Sequence, residues 1–273
     1  MIETIGTVQQ NVEIAPGYKK LTLAFEQETH VRAGQFAMLR AHNSYEPLLR
    51  RALAVYQAQD SLSLRFLYQV LGRGTAVLAD LKAGDEVDAL LPLGKPWPLE
   101  AGPNHRAIVV AGGIGSASVL MLCEELIAAD VETEIFFGAA GESAAIGCGL
   151  DDLRATRLPL TITTDDGSLG EHGLVTAPLS RLLSAGGAAR STVYSCGPWA
   201  MMKAVAEIAN RNGVECLVSL EAPMGCGFGV CVGCVVAVAD NHGGEYGAYK
   251  RVCVDGPVFS ADTIRWDVVG MNH

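Results

Sequence analysis

The feature that most constrains this chain is a cysteine-rich loop near its C-terminal end. The segment MGCGFGVCVGC, residues 224–234, holds Cys226, Cys231 and Cys234 in the spacing C-x4-C-x2-C, and Cys253 follows further along the chain. Cysteines in a reducing compartment are rarely paired as structural disulfides, so such a local group points to metal binding or catalysis. The part of the chain from this loop to the end is too short for an independent apolar core. It needs an internal crosslink.

Two kinds of metal site are compatible with this loop. The spacing C-x4-C-x2-C with a distant fourth cysteine is that of plant-type iron-sulfur proteins. Four cysteines also suit a structural zinc ion, although zinc ribbons usually present two separated C-x2-C pairs. The glycines between the cysteines let the backbone turn tightly and leave amide N–H groups free to face the sulfurs. The pattern favours a 2Fe-2S cluster, with zinc and plain buried thiols as alternatives.

The other cysteines carry a weaker signal. Cys123 lies on the apolar stripe of an expected helix, and Cys148 and Cys216 have no partner at a metal-ligand spacing. We expect these three to be small buried residues. Cys196, at the end of an expected strand, fits either a buried thiol or a place beside a reacting ring.

The first hundred residues consist of short segments separated by turns. The runs LTLAF and LSLRFLYQV alternate in polarity and contain many branched or aromatic residues, as strands do. Several such runs at short spacing predict a small barrel or sandwich. The whole chain has 273 residues, of which 49% are hydrophobic, so its length favours two domains over one.

After residue 100 the pattern changes to an alternation of strands and helices. RAIVVAGGIG is an apolar strand that runs into glycines, and a helix follows with an apolar stripe at Val119, Leu122, Cys123, Leu126 and Ile127. Similar strand and helix segments continue as far as CLVSLEAP. This alternation predicts a parallel sheet flanked by helices, an architecture that often binds nucleotides.

The first turn of this second region resembles a phosphate-binding loop. Gly113-x-Gly115-x-x-Ser118 lies between strand and helix, with serine in place of the third glycine. Such a turn brings a pyrophosphate close to backbone N–H groups; the alternative is a glycine-rich link without a ligand. We expect Gly112, Gly113, Gly115 and Ser116 to bind a dinucleotide. No Lys or Arg occurs between Glu132 and Arg154, which favours NAD over NADP because a 2′-phosphate commonly meets a basic residue.

Composition excludes several other functions. The net charge is −10 and the isoelectric point is near 5.0, which argues against nucleic acid as a partner. The sequence contains neither a secretion-type leader nor an apolar run of membrane-spanning length, so we expect a soluble cytoplasmic protein with no membrane partner. The histidines form no HExxH motif, and nothing indicates a Ser-His-Asp arrangement.

Several segments together resemble one family along nearly the whole chain. They are RRALAVY, LYQVLGRGT, AGGIGSAS, SCGPWAMM, SLEAPMGCGFGVCVGC and YKRVCVDGPVF. The chain resembles the electron-transfer subunits of class 1B dihydroorotate dehydrogenase, within the ferredoxin-reductase-like superfamily. The resemblance implies a β + α/β fold with an FAD-binding β-barrel domain over 1–100, a Rossmann-like NAD-binding domain over 101–222 and a small 2Fe-2S domain over 223–273.

The resemblance also implies roles for individual residues. Its flavin motif is of the Arg-Pro-x-Ser type, so the proline and the serine are absent here, at Ala52 and Ala54. Cys196 would lie near the nicotinamide, and the loop with Asp165 and Asp166 also matches the family. Pro223 stands where many relatives carry a basic residue. The implied FAD-binding residues are Arg51, Ala52, Leu53, Ala54, Leu67, Tyr68, Gln69, Gly74 and Thr75, and the implied cluster ligands are Cys226, Cys231, Cys234 and Cys253.

The function implied by the resemblance is electron transfer. In such enzymes electrons from dihydroorotate, an intermediate of pyrimidine biosynthesis, pass through FMN in a catalytic subunit, then through the 2Fe-2S cluster and FAD to NAD. The protein would then pair with an FMN-containing dihydroorotate dehydrogenase subunit as a heterotetramer, and would not bind dihydroorotate itself. The alternatives are an NAD(P)H-linked reductase subunit of a hydrogenase or a ferredoxin-dependent transhydrogenase, and a redox-sensing or zinc-binding module without turnover.

Overall fold

The computed structural model describes residues 1–41, 46–100, 105–186, 190–239 and 248–268. Within these ranges no helix is both long enough and apolar enough to cross a membrane.

The N-terminal part is an antiparallel half-barrel, as its alternating runs predict. Within residues 1–41 and 46–100, seven strands pair in the order β4-β3-β7-β1-β2-β6-β5. Leu21 and Leu23 of β2 face Phe66 and Leu64 of β6, and all four side chains are buried. The elements are β1 (Ile2–Ala15), β2 (Tyr18–Phe25), β3 (Phe36–Ala41), β4 (Arg51–Ala54), β5 (Gln57–Asp60), β6 (Ser63–Gln69), helix α1 (Arg73–Ala79) and β7 (Glu86–Leu93).

The second part is a parallel sheet covered by helices. The run Ala107–Ala111 of its central strand is fully buried, as expected for a strand covered on both faces. The elements are β8 (Arg106–Gly112), a 3-10 helix (Gly113–Ser118), α2 (Leu120–Ala128), β9 (Glu132–Ala139), α3 (Glu142–Gly147), α4 (Leu150–Ala155), β10 (Leu160–Thr164), β11 (Glu171–His172), α5 (Thr176–Ser184), β12 (Ser191–Cys196), α6 (Trp199–Arg211) and β13 (Glu215–Ser219).

The helix after the glycine turn differs from its sequence prediction in two respects. The glycine segment itself forms a 3-10 helix, so α2 begins only at Leu120. Leu122, Cys123 and Leu126 are buried, but Ile127 is 43% exposed. The prediction for Ile127 was wrong; this residue lies in the last turn of α2, one residue before the helix ends at Ala128.

The C-terminal part packs onto the other two. Its elements are β14 (Val235–Ala237), β15 (Tyr249–Arg251), α7 (Val252–Asp255), β16 (Val258–Ser260) and a 3-10 helix (Ala261–Thr263). β16 pairs antiparallel with β13, so that the described strands of the second sheet run in the order β11-β10-β9-β8-β12-β13-β16. Most of its buried hydrophobic residues share one core with β8 and β12. A short segment therefore obtains apolar burial that it could not provide alone.

The domain boundaries at 100/101 and 222/223 stay predictions. Residues 101–104, beside the first of them, lie outside the described residues.

Direct contacts join the half-barrel to the parallel sheet. The Trp97 indole N–H donates to the Ser118 carbonyl at 3.0 Å, and the Tyr56 hydroxyl donates to Asp152 Oδ2 at 2.7 Å. Lys20 forms an ion pair with the same Asp152 carboxylate. Because the two parts are held together on one side, a cleft forms between them on the other.

Candidate functional site

The first cleft lies between the half-barrel and the parallel sheet and has a volume of about 810 Å³. Residues from β4, β6 and α1 form one wall, and residues from the glycine turn, β12 and the segment after β13 form the other. Eight of the nine residues predicted to bind FAD line it: Arg51, Ala52, Leu53, Ala54, Leu67, Tyr68, Gln69 and Thr75. The structure thus brings together stretches that are well separated in the sequence.

The ninth residue, Gly74, lies directly beneath Arg51. A Cβ atom at Gly74 would fall 1.7 Å from Arg51 Nε, so only glycine allows this side chain its position. Arg51 Nη1 donates to the Arg50 carbonyl at 3.2 Å, and among the described residues no carboxylate pairs with Arg51. The neighbouring Arg50 instead forms an ion pair with Glu3. Arg51 therefore supplies an unneutralised cation to the cleft wall.

Two other predicted residues are engaged in local structure. The Thr75 hydroxyl oxygen accepts from the Leu71 and Gly72 N–H groups at 3.0 and 3.2 Å, which fixes the turn before α1. The Tyr68 hydroxyl donates to Asn11 Oδ1 at 3.3 Å, and burial raises the pKa of this phenol. Both residues thereby hold the cleft wall in place.

The opposite wall carries a small polar group around Cys196. The Ser118 hydroxyl donates to Ser219 Oγ at 3.2 Å, and the Cys196 thiol contacts both hydroxyls. Burial raises the pKa of Cys196, and the nearby Glu221 carboxylate raises it further. All four residues line the first cleft. Cys196 is therefore a neutral thiol.

The second cleft lies beyond the glycine turn and has a volume of about 750 Å³. Gly112, Gly113 and Gly115 line it, as predicted for a dinucleotide site. A Cβ atom at Gly115 would fall 2.4 Å from the Cys196 carbonyl oxygen, so this glycine lets the turn pack against the end of β12. The structure does not bring Ser116 into the cleft. Ser116 is fully buried, and its hydroxyl donates to the Cys148 carbonyl at 2.5 Å.

Acidic residues lie at the edge of the second cleft. Asp165, directly after β10, lines it. Asp166 hydrogen-bonds Ser168 through the serine hydroxyl at 2.6 Å and the serine N–H at 2.9 Å, and these bonds lower the pKa of Asp166. Asp166, directly after the cleft residue Asp165, is therefore negatively charged at neutral pH.

The two clefts meet. Gln69, Ile114 and Glu221 line both of them. The two clefts therefore adjoin each other at these three residues.

The cysteine loop borders the first cleft through Gly225 and Gly233. Gly227 and Gly229 have φ angles of +81° and +91°, which glycine adopts without strain. The four predicted ligands form two contacting pairs, Cys226 with Cys231 and Cys234 with Cys253. Cys231 is exposed, whereas Cys234 and Cys253 are buried.

Backbone N–H groups of the loop point at the sulfurs. The Cys231 N–H donates to Cys226 Sγ at 3.5 Å. Burial raises the pKa of Cys226, but amide donors from Cys231, Phe228 and Val230 outweigh it, so the pKa falls to about 6. Burial and the neighbouring Cys234 raise the pKa of Cys253 to about 12, against the opposing effect of the Gly229 N–H.

This arrangement fits a two-iron cluster better than a single ion. Among the described residues, no three His, Cys, Asp or Glu side chains are placed to hold one metal ion together. Two thiol pairs suit a core in which each of two bridged irons takes two thiolates. The loop amides would stabilise negative charge on the sulfurs by donating hydrogen bonds to them.

Sequence comparison identifies the family. A model of the iron-sulfur cluster binding domain of dihydroorotate dehydrogenase B matches residues 221–265. The "Dihydroorotate dehydrogenase B (NAD(+)), electron transfer subunit" of Geobacillus kaustophilus is 36% identical over 261 residues, 94% of this chain and 96% of the relative. A homolog of that subunit in Aquifex aeolicus is 32% identical over 97% of this chain and 99% of its own. The chain belongs to the dihydroorotate dehydrogenase B electron transfer subunit family.

A solved structure of similar architecture supports the same assignment. It describes an NADH-dependent reduced ferredoxin-NADP oxidoreductase of flavin-based electron bifurcation. It superimposes with a TM-score of 0.81 and 28% identity, covering 96% of this chain and 90% of that one. The predicted β + α/β architecture of this electron transfer subunit family member is thereby confirmed.

Sequence reasoning missed several residues of the clefts in this family member. Ser219 is the last residue of β13, and Glu221 follows shortly after it. Both line the first cleft, at the edge of the sheet where the carboxyl ends of parallel strands meet. Trp199 and Leu174 also line the second cleft; Trp199 lies in the segment SCGPWAMM but receives no role from the sequence, and Leu174 belongs to no motif. Only the position after a strand, or before a helix, could have marked them.

Proposed function

We propose that this protein transfers electrons between NAD and a partner subunit by way of FAD and a 2Fe-2S cluster. The observation that carries the proposal is the order of the sites. The second cleft adjoins the first at Gln69, Ile114 and Glu221, and the first is bordered by Gly225 and Gly233 of the cysteine loop. NAD exchanges a hydride, a cluster exchanges single electrons, and a flavin exchanges both, which requires the flavin site to be the middle one.

The first cleft provides what a flavin dinucleotide needs. The Arg51 guanidinium can bind a pyrophosphate through its planar set of donors. β4 and β6 offer backbone groups and small or apolar side chains at Ala52, Leu53, Ala54, Leu67 and Gln69. Because Ala54 has no hydroxyl, the polar group of Ser118, Ser219 and Cys196 on the opposite wall supplies the side-chain donors near the reacting rings.

The second cleft provides the dinucleotide site. Gly112, Gly113 and Gly115 permit close approach of phosphates to backbone N–H groups at the turn after β8. Cys196, at the end of β12, would lie beside the nicotinamide, where its neutral thiol allows close stacking. Asp165 on the rim would repel a 2′-phosphate and so favour NAD.

The cysteine loop provides the exit toward the partner. Cys226, Cys231, Cys234 and Cys253 would hold the cluster. Cys231 is exposed and is flanked in the loop by Val230 and Val232, which are 71% and 56% exposed, with Phe228 at 44%. We call Phe228, Val230 and Val232 the exit face. Exposed apolar side chains next to an electron-carrying site suit a protein partner.

The partner that this reasoning favours is an FMN-containing dihydroorotate dehydrogenase subunit, in a heterotetramer that serves pyrimidine biosynthesis. The dihydroorotate site would lie on that subunit. We place the complex in the cytoplasm, because thiolate ligands persist in a reducing compartment. We propose no nucleic-acid partner.

A second candidate keeps the cofactors and changes the partner. The likeness to the NADH-dependent ferredoxin-NADP oxidoreductase favours a reductase subunit of a ferredoxin-dependent transhydrogenase. The chemistry in the two clefts would be unchanged. The partner, and not the chain itself, would then decide the substrate.

Two measurements test the proposal. The isolated protein should oxidise NADH with an artificial acceptor and should not oxidise dihydroorotate. A native pull-down should then recover an FMN-containing subunit that adds dihydroorotate oxidation. Dihydroorotate turnover by the isolated chain would contradict the assignment of the dihydroorotate site to the partner subunit. Recovery of a ferredoxin-dependent partner would favour the second candidate. Protein purified without flavin and with stoichiometric zinc would contradict both.

A further inference from the structure

We propose that the C-terminal segment of the cysteine-rich part completes the dinucleotide site. In this proposal Trp266 holds Trp199 as an aromatic wall for the adenosine half of the nucleotide. The inference rests on the proposed function, which places NAD in the second cleft. It assigns the cysteine-rich part a role in nucleotide binding in addition to its role in electron transfer.

Trp199 is placed to contact a ligand. It is the first residue of α6 and follows Gly197 and Pro198, which connect the helix to β12. All three residues line the second cleft. Trp199 is half-buried, so part of its ring packs against protein while part faces open space. A planar indole in a cleft wall suits stacking with a planar base.

The position of Trp199 indicates the adenosine half. The nicotinamide must reach the place where the clefts meet, at Gln69, Ile114 and Glu221, to react with a flavin. Trp199 borders only the second cleft and not the first. Leu174, 66% exposed, borders the same cleft and adds a second apolar surface. Two large apolar side chains away from the junction suit the adenine ring.

Trp266 supports Trp199 from behind. The two ring centroids are 4.7 Å apart with an interplanar angle of 53°. The Trp266 indole N–H donates to the Ala261 carbonyl at 2.9 Å, which fixes the ring. Trp266 does not itself line the cleft. It is therefore a positioning residue that acts through Trp199.

The segment that carries Trp266 is tied to the cysteine-rich part. The Arg265 N–H donates to the Ala237 carbonyl at 3.0 Å, and the Ala239 N–H donates to the Thr263 carbonyl at 2.8 Å. Ala237 lies in β14, which begins at Val235, directly after Cys234. A continuous set of backbone contacts thus links a cluster ligand to the wall of the nucleotide site.

The test uses the holoprotein with ADP-ribose, which carries the adenosine half without the nicotinamide. Titration calorimetry gives its dissociation constant, and steady-state oxidation of NADH with an artificial acceptor gives KM and kcat. For Trp266→Ala we expect the ADP-ribose dissociation constant and the NADH KM both to rise about threefold to tenfold, with kcat unchanged. Trp266→Phe should restore most of the affinity. Arg265→Ala is the matched control, since its side chain contacts Asp267 at 3.4 Å on the exposed side of the same segment.

The outcomes separate the two proposals. Wild-type protein that binds neither ADP-ribose nor NADH would overturn the proposed function. Wild-type protein that binds both, with Trp266→Ala binding ADP-ribose equally well, would overturn only the inference. If Trp266→Ala does not fold, Trp266→Leu is compared with Trp266→Phe, because leucine fills space without an aromatic face. Equal affinity of these two variants for ADP-ribose would also contradict the inference. In the double variant Trp199→Ala, Trp266→Ala, the two losses should not add, because the second residue acts through the first.

Discussion

At the scale of single residues, the contact between Arg51 and Gly74 links the barrel strand β4 to the start of α1. The absence of a side chain at Gly74 leaves room for the Arg51 guanidinium, which has no carboxylate partner among the described residues. A cation held in this way keeps its charge for a ligand, whereas Arg50 is neutralised by Glu3. Both arginines line the first cleft, and Gly74 leaves room for the one that has no carboxylate partner among the described residues.

Gly74→Ala should lower the flavin content. Alanine stabilises a helix relative to glycine by about 1 kcal/mol, so folding is not the expected loss. Its Cβ would fall 1.7 Å from Arg51 Nε and displace that side chain. Gel filtration followed by an absorbance measurement of FAD per chain checks this. Gly72→Ala is the control, since a Cβ there meets nothing within 4 Å. Equal flavin content in the two variants would remove Arg51 from the flavin site.

Cys231→Ser should lose iron and keep flavin chemistry. The hydroxyl is a poorer ligand than a thiolate for iron in such clusters. We expect iron and acid-labile sulfide to fall well below wild type, while NADH still bleaches the flavin absorbance under anaerobic conditions. Cys216→Ala, a buried cysteine away from the loop, serves as the control and should retain its iron. Undiminished iron in Cys231→Ser would exclude this thiol as a ligand.

At the scale of elements, the ends of parallel strands determine where the chemistry lies. β8, β10, β12 and β13 all point their carboxyl ends at the two clefts, and the residues that follow them line the walls. The glycine turn after β8 is tight because Gly115 packs against the Cys196 carbonyl at the end of β12. Two adjacent strand ends thus supply wall residues to both clefts.

Asp165, after β10, should determine nucleotide preference. A carboxylate on this rim repels the extra 2′-phosphate of NADPH. Asp165→Asn should raise kcat/KM for NADPH by roughly tenfold, or ~1.4 kcal/mol, and leave kcat/KM for NADH within a factor of about two. Asp151→Asn is the control, because that exposed carboxylate on α4 pairs with Arg154. Unchanged NADPH turnover in Asp165→Asn would refute the charge argument.

At the scale of the whole molecule, three parts share their cores and their ligand sites. The core that includes Cys234 and Cys253 also contains Met38 and Leu90 of the half-barrel and Val110 of the parallel sheet. The C-terminal part supplies a strand to that sheet and glycines to the first cleft. The cysteine loop and the two clefts are consequently held at fixed separation.

Val230→Asp should weaken assembly without affecting NADH chemistry. Val230 belongs to the exit face and is 71% exposed, so aspartate is tolerated in the free chain but places an unpaired charge in an interface. We expect the dissociation constant for the FMN-containing subunit to rise at least about tenfold, with unchanged NADH oxidation by an artificial acceptor. Val12→Asp on β1, at a site 50% exposed, is the control for surface charge. Equal partner binding in both variants would move the interface elsewhere.

Much of this architecture follows from local patterns. The alternation in LTLAF and LSLRFLYQV predicts paired strands of the half-barrel, and the apolar run before the glycines predicts the central strand of the parallel sheet. Local patterns are less informative where several elements meet. Ser116 looks like a ligand residue in the turn, yet a 3-10 helix turns it inward to Cys148. Trp266 belongs to no motif, and its proposed role depends on its contact with Trp199, which is distant in the sequence.

Amino-acid order alone encodes the cysteine spacing, the strand and helix patterns and the glycine turn, because each depends on residues close together in the chain. Only the three-dimensional packing shows that Gly74 leaves room for the Arg51 side chain at the first cleft, that the two clefts meet at Glu221, and that Trp266 of the C-terminal segment packs against Trp199 of the second cleft. These features depend on contacts between distant segments. The packing of three parts into shared cores fixes such contacts, and no local periodicity encodes them.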